Sequence, residues 1–289
     1  MPATLGPGFR VGHWTDSEAR TGCTVILPPR GNVTSCDIRG SSPASRELVQ
    51  LDPKRRMAEV HGIVLTGGSA FGLASADGVM RWLESEGIGY ETGFGLVPIV
   101  PTAGIYDLGD GRPDVRPGPD EGRAACRAAA EAFDTGRVGA GAGATVGKWA
   151  GRHLGSPGGL GAARIEDNGT VVHALAVVNP VGDVIDDDGR VLAGTRATDP
   201  GAAPPVDDSP LNTVLVVVAV QANLEKRDVA WLAGRASDGI TIAVRPAHTR
   251  YDGDVAFAVA APVDNPADLD ALGPLTTQAV AAAVRNAVP

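Results

Sequence analysis

An α+β fold with helices packed outside buried sheets is what the sequence predicts, on three observations. Strand-type and helix-type runs arrive in blocks and do not alternate one for one, which disfavours a parallel βαβ array. Apolar residues make up 43% of the 289, enough to bury a full core in one domain spanning 1–289. Glycine (39 residues) and alanine are plentiful while aromatics are scarce, so sheets and helices are expected to approach closely.

Taken in order, short β-type runs come first: Cys23–Leu27, Asn32–Ile38, and Gly62–Leu65 leading into the turn Thr66-Gly67-Gly68. From Ala70 to Glu84, Leu73, Ala74, Val79, Met80 and Leu83 recur at helical spacing, and Gly87 is placed to end that helix. An Ala-rich helix is expected over Glu121–Phe133. The segment Val138–Trp149 carries alternate glycines that leave room for another backbone. Strands Ala162–Glu166 and Val171–Asn179 flank an Asp-Asn-Gly turn. The stretch Asp186–Asp208 has no periodicity and reads as a long surface loop. Beyond it come the β-branched run Val214–Val220, a helix over Glu225–Ser237, strands Ile240–Val244 and Val255–Val259, and a closing helix Leu275–Val288 after Gly273-Pro274. No internal repeat or heptad pattern is present.

Composition excludes several function classes. A net charge of −9 without a basic cluster argues against nucleic acid or an anionic membrane as partner. No apolar stretch has the length of a membrane span. Three scattered cysteines (Cys23, Cys36, Cys126) fit a reducing interior, and the first residues lack the charged and apolar regions of a secretory signal. Cytoplasm is the expected location. No histidine pair has metal-ligand spacing, and the acidic run Asp186-Asp187-Asp188-Gly189 lacks the glutamate of a calcium loop, so no metal is expected. Gly67–Gly72 has neither the Lys-Ser/Thr of a phosphate loop nor the spacing of a nucleophile elbow. The expectation is a cofactor-free protein.

The informative pair is Asn212-Thr213, between a Pro/Asp-rich loop and the valine run. Attack of the Thr213 hydroxyl on the Asn212 carbonyl would give an ester, and hydrolysis would free the Thr213 amine. One residue then holds nucleophile and base, because an α-amine titrates at about 8, near neutral pH. The same pair also suits a plain loop-to-strand junction. Lys148, as an ammonium, would lower that amine's pKa and stabilise negative charge, or it is a solvated strand-end lysine. The amide of Asn179 would donate to an oxyanion, or it caps a strand before Pro180. Asp252 and Asp254 flank Gly253 and would hold the lysine and the amine, or they form a loop-tip turn. His248 is the histidine expected near the pocket, and the Gly67-Gly68 backbone is a candidate for substrate binding.

Together the runs Gly62–Leu73, Gly143–Lys148, Val177–Asp183, Asn212-Thr213 and Asp252–Asp254 resemble peptidase family S58. That family includes the D-aminopeptidase/esterase of the DmpA type, β-peptidyl aminopeptidases and the nylon-oligomer endohydrolase. The resemblance implies an αββα four-layer sandwich of the DmpA/ornithine-acetyltransferase type, resembling N-terminal nucleophile hydrolases. It also implies self-cleavage into an α chain of 1–212 and a β chain of 213–289. Thr213 would be the nucleophile, Lys148 the active-site lysine, Asn179 the oxyanion-binding asparagine, Asp252 and Asp254 the paired aspartates, and Tyr106 a tyrosine near the nucleophile. Substrates would be small peptides, amino-acid amides or ω-amino-acid oligomers, and the assembly a homotetramer or larger. Asn-Thr at the scissile bond is closer to the nylon-oligomer branch than the Gly-Ser of the aminopeptidase branch. Val214 stands where many relatives have a small hydroxyl residue, which implies slower processing. The alternatives are an acyl transferase like ornithine acetyltransferase and an uncleaved binding protein.

Overall fold

The structure is a computed structural model and describes residues 2–198, 211–263 and 268–289. Most of the Pro/Asp-rich loop ahead of Asn212, and the end of the 186–208 stretch, lie outside the described residues. In chain order the strands that build the two main sheets are β1 (Arg10–Asp16), β2 (Thr21–Leu27), β3 (Val33–Ile38), β4 (Ala44–Arg46), β5 (Ile63–Thr66), β6 (Thr102–Gly104), β7 (Gly159–Asp167), β8 (Thr170–Asn179), β9 (Thr213–Gln221) and β10 (Val255–Ala261). The helices are α1 (Ser75–Ser85), α2 (Pro119–Arg127), α3 (Lys226–Ala243) and α4 (Leu269–Arg285). One sheet runs β1-β2-β5-β6-β4, the other β7-β8-β9-β10-β3.

Alternation along the strands assigns the layers. In β9, Val214, Val216, Val218 and Val220 pack with Val229, Leu232, Ala236 and Ile240 of α3 and Ala279 and Val280 of α4. Its odd-numbered residues Leu215 and Val217 meet Leu175 and Val177 of β8 and Ile26, Ile63 and Leu65 of the other sheet. The outer face of that other sheet, Cys23, Val25 and Val64, is covered by Ala76, Val79 and Leu83 of α1 and Ala125 and Cys126 of α2. Three cores therefore separate four layers, α-β-β-α, as expected. Burial of each Val or Leu contributes about 1.5–3 kcal/mol, and a one-residue slip would swap the two faces of β9, so its register is held firmly.

Several boundaries differ from expectation for local reasons. Residues Ser69–Ala74 form a 3-10 turn before α1 begins. The second helix ends at Arg127, and Ala130 and Phe133 instead bridge to Val11 and Ala3. Ile240–Ala243 belongs to α3 and not to a strand; only Val244–Arg245 is extended, against Asp183-Val184. The β-branched Ile240 there follows the helical apolar spacing of Val229, Leu232 and Ala236, so tertiary burial overrides its strand propensity. Helix α4 starts at Leu269, six residues early, because Asp268 caps it by accepting from the backbone N–H groups of Asp270 and Ala271; Pro274 lies within it. No helix among the described residues is long and apolar enough to cross a membrane.

Candidate active site

Pairing within the second sheet places the site. β8 and β9 run antiparallel with Asn179 opposite Thr213. Both residues continue the odd-numbered rows that face the space between the sheets. Strand β8 stops at Asn179 because Pro180 has no N–H to continue the ladder. Parallel pairing of β9 with β10 brings the turn before β10 alongside the residue before β9. The Asn212 N–H donates to the Tyr251 carbonyl (3.1 Å), and the Gly253 N–H donates to the Asn212 carbonyl (2.8 Å). The Thr213 hydroxyl also donates to that same carbonyl. Asn212 and Thr213 are only 2% and 4% exposed, so this carbonyl is polarised by two donors away from bulk water.

Lys148 arrives from the glycine-rich segment. Gly147 and Lys148 donate their N–H groups to the carbonyls of Gly182 and Val181, both at 2.8 Å, which lays the segment beside the end of β8. Gly147 adopts φ +68°, and a Cβ there would lie 2.1 Å from the Gly194 backbone, so both conformation and space require glycine. The glycine pattern thus did announce a close backbone approach, although turns carry it here and not a long strand. The Lys148 amine donates to the Asn179 backbone carbonyl (3.1 Å) and to Asn179 Oδ1 (2.8 Å). Oδ1 also accepts from the Thr145 N–H (3.0 Å), while Nδ2 donates to the Tyr106 carbonyl (3.2 Å). Every polar atom of the Asn179 amide is therefore engaged, and its Nδ2 points to Tyr106.

Burial shapes the charges here, and one expectation about the aspartates needs correction. Burial pushes the Lys148 amine well below the usual lysine range, reinforced by the charge of Arg152 and opposed by Asp110 and Asp252. The amine there gives up its proton more readily than an exposed lysine does. The aspartates do not clasp the lysine, because their oxygens are taken by backbone N–H groups, the Thr249 hydroxyl and the His248 ring. Asp252 accepts from the N–H groups of Val181 (3.2 Å) and Thr249 (2.9 Å) and from the Thr249 hydroxyl (2.6 Å). Burial, with the nearby charge of Asp254, raises its pKa. Asp254 accepts from the Val214 N–H (2.6 Å) and from the His248 ring (2.7 Å). Burial works against protonation of His248, but the hydrogen bond and charge of Asp254 outweigh it and raise the pKa. The two aspartates thus clamp the first residues of β9 and the start of the Val181 segment in place.

Tyr106 reaches the site through its backbone carbonyl, and its ring lies under the Arg152 guanidinium at 5.1 Å. Gly67 and Gly68 are one step removed. The Gly68 N–H donates to Asp107 Oδ1 (2.7 Å), the Gly67 N–H to the Gly22 carbonyl (2.8 Å), and the Gly67 carbonyl accepts from the Thr66 hydroxyl (3.0 Å). Their N–H groups are therefore already paired within the fold.

Sequence reasoning missed Asp107, Asp110 and Arg152. Asp107 is buried, its pKa raised by that burial, and accepts from the Thr21 hydroxyl and the Gly68 N–H. Its signal was an aspartate directly after the apolar run that ends in Ile105-Tyr106. Asp110 and Arg152 form an ion pair at 2.5 Å, and no local pattern connects residues so far apart in the chain. No group of three His, Cys, Asp or Glu able to hold a metal occurs among the described residues. A cavity of about 810 Å³ lies at the other end of the β8 and β9 strands, lined by His173 and Gln221, and includes none of the site residues.

Comparison with known proteins agrees with this architecture. The model of peptidase family S58 matches residues 6–289. An uncharacterized aminopeptidase of Mycobacterium tuberculosis is 39% identical over 282 residues, covering 88% of this chain and 79% of its own. A 6-aminohexanoate-oligomer endohydrolase of Paenarthrobacter ureafaciens is 30% identical over 271 residues, covering 88% of this chain and 73% of its own. Among solved structures, the L-aminopeptidase D-Ala-esterase/amidase of Ochrobactrum anthropi superposes with a TM-score of 0.75 at 20% identity over 98% of this chain and 85% of its own. A Burkholderia sp. β-aminopeptidase superposes with 0.74 at 21% identity over 99% and 87%. These two establish the fold, a variant of the N-terminal nucleophile hydrolase sandwich. With the family model covering nearly the whole chain, the chain belongs to peptidase family S58 and is an amide-bond hydrolase.

Proposed function

We propose that the chain is a self-cleaving N-terminal-threonine amide hydrolase, cut between Asn212 and Thr213. The observation that carries the reading is the buried Asn212 carbonyl, which accepts from the Gly253 N–H at 2.8 Å while the Thr213 hydroxyl is held against it. In the first step Thr213 Oγ1 bonds to the Asn212 carbonyl carbon and the bond from that carbon to the Thr213 nitrogen breaks. The hydroxyl proton ends on the departing amine. The buried amine of Lys148, hydrogen-bonded to Asn179 on the neighbouring strand, suits the role of proton carrier, and the Gly253 N–H suits the oxyanion that forms at the Asn212 oxygen. Water then adds to the ester, leaving an Asn212 carboxylate and a free Thr213 hydroxyl beside its own amine.

In the mature enzyme the Thr213 amine takes the Oγ1 proton as that oxygen attacks a substrate amide, and returns a proton to the leaving amine. The acyl-enzyme is hydrolysed by the same route. With Asn212 no longer fixed to Thr213, the Gly253 N–H and Asn179 Nδ2 become candidate donors to the substrate oxyanion. Small peptides, amino-acid amides and ω-amino-acid oligomers are the substrate classes, in keeping with the relatives' names. A homo-oligomer belongs to the same reading and is checked by light scattering. Intact mass and a denaturing gel of the wild type test self-cleavage: fragments of 1–212 and 213–289 support it, and one uncut chain in fresh and aged samples overturns it. Chromogenic amides and esters then separate hydrolysis from acyl transfer to an added amine.

A further inference from the structure

Arg152 sits four residues beyond Lys148 on two consecutive 3-10 turns, Lys148–Ala150 and Arg152–Leu154. The Gly151 N–H donates to the Lys148 carbonyl (3.0 Å), so the two side chains emerge from one short, internally bonded unit. One arm of the guanidinium, Nη1, is paired with Asp110 Oδ2 at 2.5 Å; the other, Nη2, donates to the carbonyl of Leu211 at 3.3 Å. Its face covers the Tyr106 ring, whose carbonyl holds Asn179. The pair is largely shielded, with 17% and 10% of the two side chains exposed. Nothing in peptide hydrolysis as described above uses this pair, yet it grips the residue immediately before Asn212.

The geometry points to Arg152 as a positioning residue for self-cleavage, resting on the reading of Asn212–Thr213 as the cut bond. Its fork orients the peptide entering that bond, and its charge, balanced by Asp110, sets the field at Lys148. Two anchors hold the scissile unit from outside: Arg152 fixes the carbonyl of Leu211, and the Tyr251 carbonyl and Gly253 N–H fix the backbone of Asn212. A planar fork can serve a carboxylate and a carbonyl at once, which a lysine ammonium does with less geometric definition. The charges that reach Lys148 are those of Arg152, Asp110 and Asp252; Arg152 disfavours its protonation, while the two carboxylates favour it. Since Lys148 must be unprotonated to carry the hydroxyl proton, Arg152 keeps it competent toward lower pH.

The test exploits the fact that either single substitution breaks the same ion pair. Precursor made by cell-free synthesis is chased and its cleavage followed by intact mass against pH, for wild type, Arg152→Gln, Arg152→Lys and Asp110→Asn. Circular dichroism melts confirm that each is folded. Arg152→Gln is expected to slow cleavage on the order of 10-fold or more through lost alignment, and to move the acid limb of the rate profile to higher pH. Asp110→Asn is expected to move that limb to lower pH, the opposite direction. Arg152→Lys restores the position of the limb but only part of the rate. A role limited to structural support predicts equal losses with an unmoved limb, and that result overturns the proposal. So does a common direction of shift for Arg152→Gln and Asp110→Asn. Cleavage of wild type with an unchanged Arg152→Gln profile removes only this inference; no cleavage of wild type at any pH removes the self-cleavage reading on which it rests.

Discussion

Asn179 stands directly across the antiparallel ladder from Thr213 and carries the Lys148 amine on its two oxygens. The expected nucleophile and lysine are therefore linked through one residue of the neighbouring strand. Strand pairing fixes Thr213 against Asn179, the 3-10 turn at Lys148 then docks on Asn179, and strand backbones hold such distances more closely than loops do.

Removing the hydroxyl should stop processing without unfolding the chain. Thr213→Ala is expected to remain a single chain, with loss of at least about 10³-fold in amide hydrolysis, in line with removal of a catalytic nucleophile. Thr213→Ser retains a hydroxyl in the same row and should still cleave. Intact mass with a chromogenic amide assay checks both; cleavage of Thr213→Ala would place the nucleophile elsewhere.

Lys148 should cost stability in a pH-dependent way. Its folded pKa lies below the unfolded value of about 10.4. Below the folded value both states are protonated and the cost of burying the charge is fully present. That cost is relieved as pH rises from the folded to the unfolded value. Lys148→Met, of similar shape without the charge, is expected to gain stability relative to wild type as pH falls. The difference should shrink toward pH 10, and the variant should fail to self-cleave. Urea melts of Lys148→Met against Thr213→Ala, both uncut, provide the comparison; a pH-independent difference would contradict the burial argument.

His248 should act with the opposite sign. Its folded pKa is raised by Asp254, so the stabilisation it contributes is full below the unfolded value of about 6.5 and is lost as pH rises through the folded value. His248→Asn is expected to lose about 1.5–3 kcal/mol at pH 5, the range for a hydrogen bond to a charged group, and much less at pH 9. Melts at those two pH values test it, and NMR titration of the ring gives the pKa directly.

Gly147→Ala should disturb the site through the backbone. The left-handed conformation alone costs about 1–2 kcal/mol with a Cβ, and the 2.1 Å approach to Gly194 adds an overlap that only movement of one segment relieves. Because Lys148 is the next residue, slower cleavage should accompany the lower melting temperature. Full activity with unchanged stability would show that the segment is not held as described.

Periodicity and turn chemistry made much of this fold legible: the valine run of β9, the β7–β8 hairpin around Asp167–Gly169, and the core positions of α1 and α3 all follow from local pattern. Short-range signals failed where burial decided, as at Ile240–Ala243, whose strand-type residues complete a helix, and at α4, whose start rests on the Asp268 side chain. Of the site, the residue types and their order pointed to Thr213, Lys148, Asn179, Asp252 and Asp254 before any geometry. Only the tertiary structure decided what each one faces. Parallel pairing of β9 with β10 aims the Gly253 N–H at the Asn212 carbonyl, and burial of Lys148 lowers the pKa of an amine that sequence alone reads as an ordinary lysine. The Asp110–Arg152 pair joins residues 42 apart and left no trace in either neighbourhood. Hydrogen-bond direction and local dielectric depend on atoms that meet only after the sheets stack, and a one-dimensional pattern carries no record of them.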